Sequence, residues 1–382
     1  MLLAWLAHLT LGLGGIAAYL LLPSLPLRVI ALLVSCLGFT GIATLGHVAS
    51  HNATFRSALA NRILFYLSFP LLLQVSCSYW RYSHLIVHHP SPNVTGVDDD
   101  CDLRPVFALN EAHLSAFAGW RERWPLLQGL LLLVLLPLNG LNIIRQGWLR
   151  LFRVLRDPGR NRLAPWADLG CMVLHLALWI ALPMLFFRPL DVALFYLLRL
   201  ALIGCGMFAV LAPGHYPAEA SCLASSQRMS GDFYLRQGAT TINFRTGFLG
   251  RFVCSGLEYQ IEHHFFPQLS HVHLRALQPI VERWCKENGV PYRTFGWGEA
   301  IWKSWLTFVT PKPIISDVET LRAAPVAAPA APGRGRTARA ARVARRRVAL
   351  RPRFQLFLTN DDRTEAVTRS ALDAAALGTR RV

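Results

Sequence analysis

Charge is scarce in this 382-residue sequence: Asp, Glu, Lys and Arg make up 16% of it, against 53% hydrophobic residues. A soluble domain of that length needs more polar surface, so the scarcity points away from a soluble globular enzyme and toward a polytopic membrane protein. Regular cysteine spacing is also missing. The eight cysteines, at 36, 77, 101, 171, 205, 222, 254 and 285, form no CxxC pair. That argues against a thiolate metal site and a disulfide framework and leaves buried free thiols as the expectation. The N-terminus lacks a basic leader and a small-residue cleavage site before a polar start, and its first apolar stretch leads directly into a second. It reads as a membrane helix, not a removed signal peptide.

Apolar runs of about 20 residues, long enough to cross a bilayer, occupy 2–22, 29–49, 169–187 and 192–211. Two further stretches, 63–79 and 126–144, are marginal, each interrupted by a proline (Pro70, Pro137). The segment 145–162 holds six arginines (145, 150, 153, 156, 160, 162) against Asp157, whereas the short connections carry Arg28 and Arg188 alone. By the positive-inside bias, that segment is cytoplasmic and the two connections face outward. The predicted architecture is therefore all-α: four transmembrane helices in two hairpins, both termini inside, with a cytoplasmic helical cap. Arg199, eight residues into the last span, is a functional candidate because intramembrane arginines are costly, although snorkelling or pairing with Asp191 would also account for it.

The net charge of +17 is unevenly placed: from Leu321 onward there are 14 arginines and four acids. We expect a membrane domain over 1–312 and a basic Ala/Pro/Arg-rich tail over 313–382, lacking the periodicity to pack. On a membrane protein such a tail reads as a cytoplasmic extension near anionic lipid. No nucleic-acid partner is expected.

Histidine is where the chemistry concentrates. Two adjacent His–His pairs occur among 13 histidines, where random placement gives about 0.4. "GHVASH" (His47, His51) closes the second span, and "HLIVHH" (His84, His88, His89) follows the first marginal stretch. "GHYP" (His215) ends the fourth span, and "QIEHH" (His263, His264) lies in the cap. The four-span topology puts all four groups at one membrane face. On α-helices, His47/His51 and His84/His88 share faces and can each grip one ion or flank two, while His89 and His264, rotated by about 100° from their neighbours, can reach a second ion. Eight imidazoles and no thiolate suit Fe, Zn or Cu, and two metal ions are the economical count. His8, His113 and His175 are isolated, and His271 and His273 break the pattern; these five are left out. Asp98 in "GVDDDCD", Glu262 and Asn243 are candidates for supporting the ligands, since ligating imidazoles need partners for their other ring N–H. Gln260, three residues before His263, can share that face and line the metal environment.

These motifs resemble the membrane fatty acid desaturases with three histidine boxes. The likeness runs through "GHVASHNA", "WRYSHLIVHHPSPNVTGVDDD", "GHYP" and the stretch from "QGATTINF" to "CKENGVPY". The glutamine in the third box is similar to that of front-end and some bacterial desaturases. The resemblance implies O2-dependent dehydrogenation of a membrane lipid or acyl substrate at a non-haem di-iron centre. Its expected ligands are His47, His51, His84, His88, His89, His215, His263 and His264, in a multi-pass protein of a bacterial inner membrane with the metal site cytoplasmic. Two positions depart from the pattern: Val48 where many relatives carry Asp, and Gly214 where others carry Asn. No HPGG haem motif is present, so a separate ferredoxin or cytochrome-type donor is expected to deliver electrons. The histidine spacing leaves hydroxylation or ketolation by the same centre open. A haem-binding electron carrier would require histidines at matched depths inside facing spans, and only His175 lies inside one.

Overall fold

The computed structural model describes residues 1–104, 106–114, 124–157, 163–228 and 231–323. Long charge-free segments become helices because a helix satisfies every backbone polar group within itself. Helices α1 (Leu2–Leu21) and α2 (Leu25–Ser50) form a hairpin, with Pro26 in the first turn of α2. Their backbones nearly touch: a Cβ at Gly38 would lie 2.4 Å from the Gly12 nitrogen, so glycine is required at that crossing.

The next segment is bent. Helix α3 (Ala58–Tyr66) continues in wider π-wound turns to Leu73, and α4 (Cys77–Trp80) continues likewise to His88. The second arm is bent by 115° from the first, around Gln74 in left-handed backbone. A short α5 (Glu111–Leu114) precedes α6 (Trp124–Leu135) and α7 (Asn139–Arg156), which are joined by a 3-10 turn over Leu136–Leu138. Helix α8 (Leu163–Leu176) runs on through irregular turns to Leu185, and α9 (Pro189–His215) follows.

The cap contains β1 (Cys222–Leu223), α10 (Phe233–Thr240), β2 (Asn243–Arg245), α11 (Phe248–Cys254) and α12 (Gln260–Phe265). It ends with α13 (Leu274–Glu287), β3 (Thr294–Gly296), α14 (Trp297–Val309) and β4 (Ile314–Ile315). Strand β1 pairs parallel with β4, and β2 with β3. The fold is mostly helical, as expected, with only these short strand pairs among the described residues.

Among the described residues, five helical stretches are long and apolar enough to cross a membrane: Leu2–Leu21, Leu25–Ser50, Trp124–Arg156, Leu163–Leu185 and Pro189–His215; the bent pair is a sixth candidate. Four of these contain or closely match the runs read from hydropathy. The fifth is the stretch marked marginal because of Pro137, which the 3-10 turn absorbs without ending the helix. Length and composition thus admit one or two more crossings than the four inferred from charge.

Arg199 does not pair with Asp191, which is bound to Arg188 at 2.9 and 3.0 Å. It is instead fully buried. On α7, Arg145, Arg153 and Arg156 are exposed, while Arg150 packs 3.8 Å over the Tyr82 ring. Arg160 and Arg162 lie outside the described residues. The folded body continues past 312: Ile314 and Ile315 pair with Cys222 and Leu223, and Val318 is buried. The rest of the basic tail, from 324 onward, lies outside the described residues.

Candidate metal centre

Four elements bring the histidine groups together. The last turn of α2 supplies His47, with His51 at its C-terminal end. Gly46 lets the bent segment approach, since a Cβ there would fall 2.7 Å from Phe69. The second arm of that segment supplies His84, His88 and His89; the end of α9 supplies His215; and α12 supplies His263 and His264. All eight side chains are buried.

Their nitrogens fall into two groups, within each of which the candidate ligand atoms lie no more than 4.8 Å apart. One is His47, His51, His84, His89 and His263; the other is His88, His215 and His264. A third overlapping set joins His84 and His88 with Asp100. In the larger group, Nε2 of His84 is 2.7 Å from that of His47 and 3.1 Å from that of His89.

His47 and His51 fall in one group, while His84 and His88 fall in different ones and so flank the two. On an α-helix His84 would share a face with His88. The arm is π-wound, and the His89 amide donates to the His84 carbonyl. The i→i+5 bond brings the His84 and His89 rings together edge to face, with centroids 4.6 Å apart. His88 is thereby turned toward His215 and His264, with ring centroids 4.5 and 5.2 Å away.

Several imidazoles are oriented by hydrogen bonds on the side away from the cluster. Nδ1 of His88 lies 2.9 Å from Asp98, which also receives the Asn93 amide at 2.8 Å. Nδ1 of His264 lies 2.8 Å from the Gln237 side-chain oxygen. Nδ1 of His263 lies 3.3 Å from Nε2 of His271, whose own Nδ1 faces the Ser255 carbonyl at 3.2 Å. The His215 carbonyl receives Asn93 Nδ2 at 2.9 Å and the buried Lys312 ammonium at 2.7 Å. Burial pushes Lys312 down to about 8.

Of the expected supports, Asp98 lies against His88. Glu262 does not touch an imidazole. It accepts from Asn243 at 2.8 Å and Tyr292 at 2.6 Å, while Asn243 also receives the Ile261 amide. Glu262 and Asn243 therefore fasten α12 from behind; burial pushes the Glu262 carboxyl up to about 7. Gln260 lies against the smaller group, its Nε2 3.4 Å from Nε2 of His215. Gln237, Asn93, His271 and Lys312 were not identified from sequence. The signal for His271 was its position eight residues after His263; the others have none short of the fold.

The donor set fits a transition metal. Burial, reinforced for the last three by neighbouring imidazoles, holds His271 near about 4 and His89, His263 and His264 well below the usual range. These four imidazoles are thus neutral, the form that ligates, whereas at His88 burial is outweighed by the Asp98 carboxylate, which holds it above the ordinary range. Nε2 of His51, His263 and His264 and the side-chain oxygen of Gln260 are buried without hydrogen-bond partners, and such atoms call for one. Neutral nitrogens without thiolate suit iron, zinc or copper over hard cations.

Among known proteins, the family model described as fatty acid desaturase matches residues 23–296. The chain is 29% identical over 266 residues to the Delta(5) fatty acid desaturase fat-4 of Caenorhabditis elegans, covering 67% of this chain and 57% of the relative. It is 28% identical over 288 residues to a Delta(8)-fatty-acid desaturase of Euglena gracilis, covering 74% and 67%. It is 26% identical over 241 residues to the NADPH-dependent stearoyl-CoA 9-desaturase of Mycobacterium tuberculosis, covering 61% and 55%. The matched stretch is little more than half the length of the first and last of these relatives. With two buried histidine groups held at one place in the fold and a family match running from α2 through most of the cap, the chain belongs to the fatty acid desaturase family.

Proposed function

We propose that this protein is an O2-dependent acyl desaturase that introduces a C=C bond into a lipid acyl chain at a histidine-held di-iron centre. The observation that carries the reading is the convergence of eight buried imidazoles from four separate elements into two adjacent groups. In this reading His47, His51, His84, His89 and His263 would hold one ion. His88, His215 and His264, with Gln260 beside them, would hold the other. Bound iron would supply the oxidising power, drawn from O2, that removing hydrogen from an unactivated methylene requires.

The chain's own work is orientation and shielding. Asp98 and Gln237 fix the ring orientations of His88 and His264, leaving their Nε2 lone pairs toward the cluster. Burial of the histidines keeps water out, which favours neutral imidazole and protects reactive species from side reactions. The arginine distribution supports a cytoplasmic site in a multi-pass membrane protein. A separate donor of ferredoxin or cytochrome type would deliver two electrons per turnover, and the exposed Arg145, Arg153 and Arg156 suit an acidic partner.

Expression in a desaturase-deficient host with fatty-acid profiling tests the reading. An iron-dependent unsaturated product is expected, and it should vanish in His263→Ala. A hydroxylated product without an alkene would redirect the assignment to a hydroxylase, and near-normal turnover in His263→Ala would overturn the ligand set.

A further inference from the structure

A break in a helix leaves polar ends, carbonyls on one side and N–H groups on the other. The break at residues 74–76 lies among apolar helices, where water is not available to satisfy them. Each end is met by a side chain from α8 or α9. The Leu71 carbonyl receives His175 Nδ1 at 2.8 Å, and the Leu72 carbonyl receives Arg199 Nη2 at 2.7 Å. On the other side, Asp168 accepts from the Cys77 and Ser78 amides at 3.0 and 2.8 Å and from the Ser76 hydroxyl at 2.7 Å.

The signs match the helix dipole: a cation where the first arm ends, an anion where the second begins. Asp168 and His175 are seven residues apart on one face of α8, and all three side chains are essentially inaccessible to solvent. Arg199 is sandwiched between Trp179 and Phe39, 3.9 and 4.3 Å from the ring centres, while its Nε and Nη1 have no hydrogen-bond partner. A buried arginine without an acid is costly. What it gains is one carbonyl at the break and two aromatic faces.

We propose that Asp168, His175 and Arg199 form a clamp that sets the angle between the two arms and so the placement of His84, His88 and His89. None of the three belongs to the histidine cluster. Asp168 acts through Cys77, seven residues before His84, and all three are positioning residues. The consequence for metal rests on the functional reading above; the effect on the arm does not.

The test uses the full chain in lipid nanodiscs: wild type, Arg199→Met, Arg199→Lys, Asp168→Asn and, as a control for general loss of stability, Ser35→Ala. Ser35 bonds the Gly12 carbonyl in the α1–α2 hairpin, away from the break. Amide hydrogen exchange across Cys77–His88, measured without metal, should quicken on the order of tenfold in Arg199→Met and Asp168→Asn, each of which removes a buried partner. It should stay near wild type in Ser35→Ala and recover in Arg199→Lys. Iron bound per chain should fall in the same two variants and return with lysine. Unchanged exchange in both Arg199→Met and Asp168→Asn would overturn the clamp, as would equal quickening in Ser35→Ala. Should Arg199→Met fail to fold, the isosteric Asp168→Asn decides. If wild type takes up no iron, the functional reading fails while the exchange data still judge the clamp.

Discussion

Gly214 and Gln260 fit together as a void and its filling: a Cβ at 214 would lie 2.3 Å from Cγ of Gln260 and 2.9 Å from its amide nitrogen. The glycine before His215 therefore makes room for the glutamine of the third histidine box. The Gly214 departure and the glutamine form of the third box are one steric arrangement. Gly214→Ala should displace Gln260 and cost about 1–3 kcal/mol of stability, the usual penalty of overpacking, with reduced metal at the smaller group. In a Gln260→Ala background the same change should cost much less. Thermal unfolding and metal titration of the double-mutant cycle measure the coupling; additive effects would refute it.

The His88–Asp98 contact at 2.9 Å makes a second prediction. Asp98→Asn keeps the shape but removes a charged acceptor, and metal affinity should drop about 10–100-fold, as for other groups that orient ligating histidines. Gln237→Leu should act similarly through His264. Competition with a coloured chelator reads both, and wild-type affinity in both would show that the contacts do not orient ligands.

His271 offers a third. Its Nδ1 faces the Ser255 carbonyl, so that nitrogen carries the proton and Nε2 is left to accept from His263 Nδ1. His263 is then fixed with its Nε2 lone pair toward the larger group. His271→Leu should weaken metal binding, by less than His263→Ala does. Equal losses in the two variants would make His271 a ligand instead.

The pH dependence follows from burial. His89, His263, His264 and His271 are held below the ordinary imidazole range in the folded chain, whereas unfolding returns them to about 6.5. Below that value the unfolded state binds more protons. The stability contribution of these groups is therefore complete above about pH 6.5 and declines as pH falls, by up to about 1.4 kcal/mol per pH unit for each group. Metal-free protein in detergent should melt at lower temperature at pH 5.5 than at pH 7.5. Glu262, pushed up to about 7, acts in the opposite sense, so the comparison is made in Glu262→Gln, where a higher melting temperature at pH 5.5 would contradict the buried, neutral cluster.

Composition, apolar run length and histidine spacing determined much of this protein. A scarcity of charge can be satisfied only in lipid, runs of about 20 residues become helices there, and clustered imidazoles next to those runs had to lie near the helix ends. The histidine boxes and Asp98 stood out because each depends on local spacing, whereas the contact of Gln260 with His215, 45 residues away, does not. Tertiary structure decided the rest. Helical periodicity assumes α geometry, so the π winding that pairs His84 with His89 and sends His88 to the other group had no signature in spacing. Glu262 was expected at an imidazole because it is adjacent in sequence, but helix rotation turns it toward Asn243 and Tyr292. Pro137 looked like an interruption and is taken up by a single 3-10 turn. Arg199, ambiguous alone, acquires its partner only when a bent segment more than 120 residues earlier presents an open carbonyl beside it. Side chains that answer a break in another helix cannot be read from their own neighbours, because the need they meet is created by packing.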